Sequence, residues 1–430
     1  MQTRRDHVQA YQFAMGRLAS ALVSGDPGRG ESPTRRSALG SVFGVGLVVL
    51  LCAGFGVYGL ISPVAKDDWR KDGTILLEQS TGNRYVYANG ELRPVRNYAS
   101  ALLIAGRRTE PATPSAKSLA GVPHGTPVGI PGAPDNVPDA AGLTPGPWAR
   151  CLPGTAHADA GQTLAFGPLV SALHALPADR QALVDGPEGA RYLLLRGVKH
   201  PVPDRAALIA LSLDDQTAFT ATADWLAAVP TGAALASPTP SGTGEPAGKV
   251  AGKSAAVGQL FRTGTSGTER HYLLRSDGLV PVNPTAYALL AARPGAPEPR
   301  QVEQTDIAMA RASADRGPTD RIPDVLGVRA LDGGTPCLER LAGDRYKLVV
   351  SRAAGGRVAL PAGGGVLAVP DGSHVTYLVT EQGVKYRIAD DDAVRALGLG
   401  GAGNRLALPA KVLALLPDGP VLSRAAAGKG

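Results

Sequence analysis

Residues 84–103 read RYVYANGELRPVRNYASALL, and this pattern sets the architecture of most of the chain. A tyrosine lies in a short apolar strand, and Gly90 follows at a position that suits a hairpin turn. Pro94 and Val95 belong to a second strand. Because proline has no amide hydrogen, this strand lies at a sheet edge or its proline faces away from the ladder. The Ala/Leu-rich residues 98–103 predict a helix after the hairpin.

The same order of strand, glycine turn, strand and helix occurs three more times. The later copies are Arg191-Tyr192-Leu193 with Gly197, Pro201-Val202 and residues 205–211; His271-Tyr272-Leu273 with Gly278, Pro281-Val282 and residues 285–292; and Tyr377-Leu378 with Gly383, residues 386–388 and residues 391–397. Asp204, Asn283 and Asp390 are placed to cap the helices. A unit of about 35 residues cannot bury enough surface alone, so the copies must pack on one another or on a shared core. Chance likeness among alternating strands in an Ala-rich sequence is the alternative.

The composition agrees with many short elements joined by turns. The chain has 430 residues, of which 55 are Gly and 36 are Pro, and aromatic residues make up 5%. This length predicts more than one packed unit. The net charge is +7, but the basic residues are scattered and not interleaved with aromatic residues, so we expect no nucleic-acid partner.

An apolar segment near the N-terminus predicts a single transmembrane helix. Residues 38–61 (ALGSVFGVGLVVLLCAGFGVYGLI) contain no charged side chain, and about 20 such residues cross a bilayer. A cleavable signal peptide has an apolar stretch of only about 7 to 15 residues, so this segment is interpreted as an uncleaved anchor. An excess of basic residues before the span places the N-terminus in the cytoplasm and the bulk of the chain on the other side. These residues are Arg4, Arg5, Arg17, Arg29, Arg35 and Arg36 before the span, and Lys66, Arg70 and Lys71 after it.

Glycines within the span have two interpretations. Gly54, Gly56 and Gly59 spell GxGxxG, but no strand precedes them, so a dinucleotide site is not indicated. Together with Gly40 and Gly44 they allow close contact with another helix, or they reflect the general frequency of glycine in such helices.

An amphipathic helix is predicted ahead of the span. Residues 6–23 carry apolar side chains at three- and four-residue spacing, and the pattern stops at the Gly-Asp-Pro of residues 25–27. A candidate partner-binding stripe is formed by Tyr11, Met15, Leu18 and Leu22. Its partner is either the membrane surface or a cytoplasmic domain of another subunit.

Two of the three cysteines are predicted to form a disulfide. Cys52 lies in the span, whereas Cys151 and Cys337 lie beyond it, on the oxidising side of the membrane, where thiols pair. Such a bridge would tie together two halves of a central β domain. Two separate buried thiols are the alternative.

The sequence carries no recognised catalytic or metal-binding motif. Its seven histidines are dispersed, and HExxH, Cys-x-x-Cys and GxSxG do not occur. The run Asp390, Asp391 and Asp392 lacks the glycine spacing of a calcium loop and fits a helix N-terminus better. We therefore predict neither catalytic residues nor a metal site.

A permissive phosphate-loop pattern occurs at residues 247–254, AGKVAGKS. Gly252, Lys253 and Ser254 take the GKS positions, where they would hold ATP and magnesium. However, alanine replaces the first glycine of the motif, no strand precedes it, and a strand at residues 257–261 follows in place of a helix. Nucleotide binding is therefore kept as an alternative, and no other cofactor is predicted.

These patterns predict an α+β, β-rich chain organised in segments. The predicted segments are a cytoplasmic amphipathic segment (1–36), the transmembrane helix (38–61), ββα repeat 1 (70–105), a Pro/Gly-rich segment with the first part of a central β domain (106–180), repeat 2 (181–230), a flexible linker (231–253), repeat 3 (254–296), the second part of the central domain (297–370) and repeat 4 (371–420). The apolar runs at residues 346–350 and 366–369 are assigned to the central domain, together with the segment around Trp148.

Several stretches of this sequence resemble EccB proteins of type VII secretion systems. They are RRDHVQAYQFAMGRLASALV (4–23), GFGVYGLISP (54–63), TGNRYVYANGELRPVRNYASALL (81–103), SLAGVPHGTPVGIPGAPD (118–135), GPWARC (146–151) and YLVTEQGVKYRI (377–388). The likeness covers nearly the whole chain, and the family's Trp-x-x-Cys matches Trp148 and Cys151. Arg387 departs from the expected Pro-Val of the fourth copy, and the linker is peculiar to this chain.

The resemblance implies both an architecture and a set of partners. In the family, a central β domain is flanked by four repeats on the extracytoplasmic side of the inner membrane. EccB proteins work beside an FtsK/SpoIIIE-type ATPase, a multispanning membrane subunit and a subtilisin-like protease, in a multimeric complex that exports small helical WXG-type proteins in actinobacteria. ATPase activity is also described for the family.

Three functions from different classes are compatible with these patterns. The first is a structural subunit that couples cytoplasmic ATPase subunits to an extracytoplasmic platform. The second is a nucleotide hydrolase that uses Lys253. The third is a wall-binding module whose repeats recognise peptidoglycan.

Overall fold

A computed structural model describes residues 4–24, 34–61, 67–154, 161–265, 267–314, 317–352 and 356–429. The chain divides into two units, residues 1–69 with 114–120, and residues 70–113 with 121–430. The predicted helix stop at residues 25–27, Arg29 and Lys66 lie outside the described residues.

The smaller unit contains two long helices, α1 (Arg4–Ser24) and α2 (Thr34–Ile61). The predicted amphipathic helix is α1, and α2 includes the predicted span. The segment Gly40–Val57 of α2 has a mean hydropathy of 2.2. Among the described residues, α2 is the one helix that is long and apolar enough to cross a membrane.

The larger unit is built from short strands and helices, which include four groups that we call modules 1 to 4. Module 1 contains β1 (Thr74–Leu77), β2 (Arg84–Ala88), β3 (Glu91–Pro94) and α3 (Tyr98–Ala105). Next comes α4 (Ala116–Leu119), which belongs to the smaller unit. It is followed by β4 (Trp148–Cys151), β5 (Thr163–Phe166), α5 (Pro168–Ser171) and β6 (His174–Ala175). Module 2 contains β7 (Arg180–Asp185), β8 (Arg191–Leu195), β9 (Val198–Val202), α6 (Arg205–Ala210), β10 (Phe219–Thr220) and α7 (Ala223–Ala227).

The remaining elements form a hairpin, module 3, four further strands and module 4. A hairpin consists of β11 (Pro246–Val250) and β12 (Lys253–Ala256). Module 3 contains β13 (Leu260–Thr263), β14 (Arg270–Arg275), β15 (Gly278–Val282), α8 (Pro284–Ala291), β16 (Arg300–Gln301) and α9 (Gln304–Met309). Then come β17 (Arg329–Ala330), β18 (Thr335–Arg340), β19 (Tyr346–Ser351) and β20 (Val358–Ala359). Module 4 contains β21 (Gly365–Pro370), β22 (Thr376–Thr380), β23 (Lys385–Ile388), α10 (Asp391–Ala396), β24 (Arg405–Leu408), α11 (Ala410–Leu413) and α12 (Arg424–Ala427).

Each module begins with a three-stranded antiparallel meander and continues into a helix. The meanders are β1-β2-β3, β7-β8-β9, β13-β14-β15 and β21-β22-β23. The predicted hairpin–helix unit corresponds to the second strand, the third strand and the helix of each module. The prediction does not include the first strand. The assignment of residues 366–369 to the central domain is wrong, because these residues lie in β21, where Val366 pairs with Val379 of β22. An apolar run indicates a strand but does not identify its partner.

Local sequence explains how the meanders turn and where the helices begin. At the β2–β3 turn both Asn89 (φ 54°) and Gly90 (φ 81°) are left-handed, as a tight hairpin turn requires. The helix caps predicted at Asp204, Asn283 and Asp390 are confirmed, since each side chain accepts a backbone N–H three residues on, at 2.7–2.8 Å. Asn97 caps α3 in the same way at 3.0 Å.

After its helix, each module returns along both edges of its own meander. The chain runs parallel to the first strand as β10 beside β7, β16 beside β13 and β24 beside β21, and module 1 makes a single bridge between Leu76 and Ala112. Parallel bridges to the third strand are Leu92–His124, Lys199–Thr231, Leu279–Ala312 and Lys385–Asp418. These returns cover backbone groups that an open sheet edge would expose.

The linker predicted at residues 231–253 is only partly irregular. Its C-terminal part enters the hairpin β11–β12, in which Val250 pairs with Lys253 and is buried against Phe261 of module 3. The prediction of a flexible linker is therefore wrong from residue 246 onward. Val250 supplies the apolar contact that holds this Gly- and Lys-rich stretch in place.

A six-stranded sheet, which we call the central sheet, has the order β20-β5-β4-β18-β19-β6. It combines residues 148–175 with residues 335–359, as a central domain in two parts requires. Its side chains pack on module 2, where Leu152 and Leu338 join Trp225 in one core. They also pack on module 4, where Trp148 and Phe166 belong to another core.

The module helices associate in two pairs. α3 of module 1 packs against α10 and α12 of module 4, in a core that includes Leu102, Leu103 and Val394. α6 of module 2 packs against α8 of module 3, where Leu208 and Leu289 share a core. The first module therefore pairs with the last, and the two middle modules pair with each other.

Candidate functional site: the central junction

The central junction is formed by β4, β18 and β19 of the central sheet. In β4, the sequence Trp148-Ala149-Arg150-Cys151 alternates between the two faces. Successive strand residues point to opposite faces. Trp148 and Arg150 therefore share one face, and Cys151 lies on the other.

The structure joins Cys151 to Cys337 by a disulfide with an S–S distance of 2.03 Å. The two residues are directly opposite each other in the antiparallel pair β4–β18, and both are buried beside Val349. The bond ties the two distant halves of the central sheet together at its middle. It removes freedom from the unfolded chain; for cysteines separated by 186 positions, the loop-entropy account gives at most about 5 kcal/mol.

On the opposite face, arginine and aromatic side chains alternate in a row. The Arg340 guanidinium lies 5.8 Å from the Trp148 ring centre, and the Arg150 guanidinium lies 5.6 Å from that of Tyr346. The two rings meet edge to face at 6.2 Å. A cation over an aromatic face and an edge-to-face ring pair are both attractive, so the row is self-supporting.

Each arginine in this row also binds a neighbouring module. Arg150 is buried, forms an ion pair with Asp224 of α7 in module 2, and donates to the Asp224 backbone oxygen at 3.0 Å. The Trp225 indole N–H in turn donates to the Arg150 backbone oxygen at 3.4 Å. Arg340 lies 3.5 Å from Asp371, just after β21 of module 4. The row thus connects modules 2 and 4 to one strand.

Two buried lysines have equivalent places in modules 2 and 4. Lys199 donates from Nζ to the backbone oxygens of Leu226 (2.8 Å) and Val229 (2.6 Å), at the end of α7. Lys385 donates in the same way to the Leu416 backbone oxygen, beyond α11. Burial lowers the pKa of Lys199 from its usual value, because desolvation penalises the charged amine. The corresponding positions of modules 1 and 3 hold leucines.

The residues of the phosphate-loop pattern form a hairpin turn. Ala251 (φ 52°) and Gly252 (φ 73°) connect β11 to β12, and Lys253 and Ser254 begin β12 with exposed side chains. The next element is the strand β13. A phosphate loop instead leads into a helix, whose N-terminal amides bind the phosphates.

The apolar stripe of α1 is exposed in the smaller unit. Tyr11, Met15, Leu18 and Leu22 each expose more than half of their surface. The described residues also contain no cluster of three or more His, Cys, Asp or Glu side chains that could hold a metal.

Sequence reasoning finds the cysteines and Trp148 but misses Arg150, Arg340 and Asp224. The one available signal is the two-residue spacing of Trp148 and Arg150, which places them on the same face of a strand. Their partners come from residues 74 or more positions away, and no local pattern identifies such contacts.

Comparisons of this chain with known proteins agree on one family. The family described as "Type VII secretion system ESX-1, transport TM domain B" matches residues 1–340 and 342–429. The chain is 29% identical to the ESX-1 secretion system ATPase EccB1 of Mycolicibacterium smegmatis (strain MKD8), over 99% of this chain and 94% of that protein. It is also 29% identical to the ESX-3 secretion system ATPase EccB3 of M. smegmatis, over 98% of this chain and 89% of that protein.

A solved structure is similar in fold. The periplasmic assembly from the ESX-5 inner membrane complex includes a chain that is 24% identical, with a TM-score of 0.51, over 85% of this chain and 98% of that one. This likeness concerns the mixed α+β, β-rich architecture.

Proposed function

The chain belongs to the EccB family of type VII secretion systems, and from this we infer that it is a structural core subunit of an inner-membrane type VII (ESX) secretion complex. The observation that carries the proposal is the family match, which extends over α1, α2, the central sheet and all four modules. The arrangement of the larger unit suits such a role, since its ion pairs and disulfide connect modules to a common sheet.

In the finer proposal, α2 crosses the membrane once, with α1 in the cytoplasm and the larger unit on the extracytoplasmic side. Support comes from the arginines before the span and from the Cys151–Cys337 disulfide, since disulfides persist in oxidising compartments. There the larger unit would scaffold the export apparatus for WXG-type proteins.

We further propose that the four modules are copies of one repeat. Support comes from their shared order of meander, capped helix and parallel return. Two of them carry the buried lysine that binds helix-end carbonyls, and the other two carry leucine at that place. The repeats would flank the central sheet as two pairs.

The proposed partners are an FtsK/SpoIIIE-type ATPase, a multispanning membrane subunit and a subtilisin-like protease, in an oligomeric complex. The exposed stripe of Tyr11, Met15, Leu18 and Leu22 is the proposed contact with a cytoplasmic partner. Burial of a large apolar side chain contributes roughly 1.5–3 kcal/mol, so four such residues are enough for a specific helix contact.

Co-purification of the full-length chain in mild detergent tests the core-subunit proposal. We expect the other type VII membrane subunits to be recovered with it in fixed proportion. Recovery of the chain alone, from cells that express the whole system at native levels, would contradict the proposal.

A second candidate function is nucleotide hydrolysis, which is favoured by the names of the relatives, both of which are called ATPases. The proposed site is Gly252, Lys253 and Ser254, with ATP and magnesium. Turnover by the purified chain that disappears in Lys253→Ala but persists in Lys249→Ala, the neighbouring exposed lysine of the same hairpin, would support this candidate. Turnover unchanged in Lys253→Ala would exclude the site.

A further inference from the structure

Module 1 contains a cavity of about 330 Å³ between β1 and the stretch that follows α3. Its apolar lining consists of Leu77 and Pro111, which are partly exposed, and of Ile75, Leu76 and Val137, which are buried. Small-ligand sites are concave, mostly apolar, and range upward from about 300 Å³. The cavity therefore has the size and the lining of a site for a small ligand.

Its polar side is a cluster of two arginines, one tyrosine and one aspartate. The guanidinium groups of Arg84 and Arg108 lie 6.0 and 5.9 Å from the centre of the Tyr98 ring. Asp135 binds Arg84 Nη1 at 2.5 Å and accepts the Tyr98 backbone N–H at 3.1 Å. Two cations and one carboxylate leave the lining with an excess positive charge.

The two arginines have different tasks. Arg108 donates to the backbone oxygens of Pro138 (2.9 Å), Val137 (3.1 Å) and Leu397 (3.2 Å), so it holds the wall of the cavity. Arg84 is 40% exposed, and within the part of the chain that the structure describes its guanidinium donates only to Asp135. Arg84 therefore keeps N–H groups for an acceptor that enters the cavity.

We propose that this cavity binds a small ligand composed of a short apolar group and a carboxylate. The apolar group would lie against β1, and the carboxylate would accept hydrogen bonds from Arg84, whose planar fork of donors matches the two oxygens. Tyr98 and Asp135 hold the guanidinium in place, so less side-chain freedom is lost on binding. Two sources supply this chemistry, a free aliphatic acid and the C-terminal residue of a peptide.

Module 2 offers a matched comparison. Arg191 begins β8 as Arg84 begins β2, it pairs with Asp185 at 3.0 Å, and it also lines a cavity. That cavity is lined by two arginines, Arg191 and Arg205, and by two aspartates, Asp204 and Asp214, so its lining has no excess positive charge. The second cavity thus lacks the excess positive charge of the first, and Arg191 serves as the control position.

Ligand-observed NMR titration of the full-length chain in lipid nanodiscs tests the proposal. The probes are hexanoate and acetyl-Ala-Leu, each compared with its neutral amide and with empty nanodiscs as the background. We expect at least one carboxylate to bind at least tenfold more tightly than its amide. Arg84→Gln removes that preference, whereas Arg191→Gln leaves it unchanged.

The two probes distinguish a free acid from a peptide C-terminus. A second variant, on the apolar side of the cavity, tests the site without removing an arginine that could be needed for folding. Binding of hexanoate alone identifies a free acid, and binding of acetyl-Ala-Leu identifies a peptide terminus. Leu77→Trp fills the apolar side without altering the charge, and it should weaken, at least tenfold, the binding of each carboxylate that binds the wild type. The proposal is overturned if neither carboxylate exceeds its amide, or if Arg191→Gln reduces binding as much as Arg84→Gln does.

Discussion

Removal of the Asp224 carboxylate should loosen module 2 from the central sheet. Asp224 is the counter-ion of Arg150, a guanidinium with only 4% of its side-chain surface exposed. In Asp224→Ala the arginine stays buried with its backbone contacts but without a carboxylate. A buried charge without a partner is among the costliest single defects in a protein.

The magnitude follows from the exposure of the two partners. Breaking a fully buried pair costs about 3–5 kcal/mol, and an exposed pair contributes about 0–1 kcal/mol. Because the Asp224 side chain is 46% exposed, solvent screens the pair. We therefore expect the free energy of unfolding to fall by about 1.5–3 kcal/mol. The matched control is Asp332→Ala, since the Asp332 side chain is 77% exposed beside Arg180, and it should cost at most about 1 kcal/mol.

Urea unfolding of the full-length chain in detergent, with the disulfide intact, measures these differences. Fluorescence reports on the contact, because the buried Trp225 lies next to Asp224 and donates to the Arg150 backbone oxygen. A double-mutant cycle with Arg150→Met isolates the pair, and we expect a coupling of about 1–3 kcal/mol. If Asp224→Ala and Asp332→Ala shift the unfolding midpoint equally, or if the coupling is zero, Arg150 does not hold module 2 in the way described.

Three further outcomes follow from other parts of the chain. A membrane-impermeant thiol reagent should fail to label a Ser20→Cys variant in intact cells; labelling there would refute a cytoplasmic N-terminus. Replacing Leu18 and Leu22 by Asp should abolish co-purification with the cytoplasmic partner while membrane insertion through α2 persists, and wild-type recovery would leave the stripe without this role. Burial lowers the pKa of His271 below its usual 6.5, although Glu269 at 3.6 Å opposes the shift. Since the unfolded chain then binds the proton more readily, the free energy of unfolding should fall as the pH drops below about 6.5. If the urea midpoint depends on pH as strongly in His271→Phe as in wild type, His271 is not the group responsible.

The sequence predicts those parts of the fold that depend on local chemistry. Turn glycines and helix caps specify the hairpin and helix of each module, and an uninterrupted apolar run specifies α2. The first strand of each meander carries no such signal. Residues 366–369 show what the sequence does not predict, because an apolar strand could belong either to the central sheet or to module 4. The choice between them is made by pairing with β22, which no local pattern shows.

The sequence likewise predicts some residues of the candidate site and misses others. The sequence predicts the pairing of Cys151 with Cys337 because they are the two cysteines outside the apolar segment 38–61, on the side that is predicted to be oxidising. The phosphate-loop pattern lies in a hairpin whose turn is formed by Ala251 and Gly252, and a strand follows it in place of a helix, as the sequence predicts. Arg150 stands in the sequence beside the recognised Trp148 and Cys151, but its role depends on Asp224, in a different module.

Modules 1 and 4, the first and last modules of the larger unit, share one hydrophobic core. Leu422 and Ala427 are fully buried in the core that contains α3, and Arg424 donates from Nε to the Leu103 backbone oxygen at 3.2 Å. The core of the first module is thus completed by residues more than 300 positions later. Contacts of such long range form late, because a large loop must close before they stabilise the chain. Module 1 cannot reach its final stability until module 4 has folded, and the disulfide joins the two halves of the sheet that lies between them in sequence.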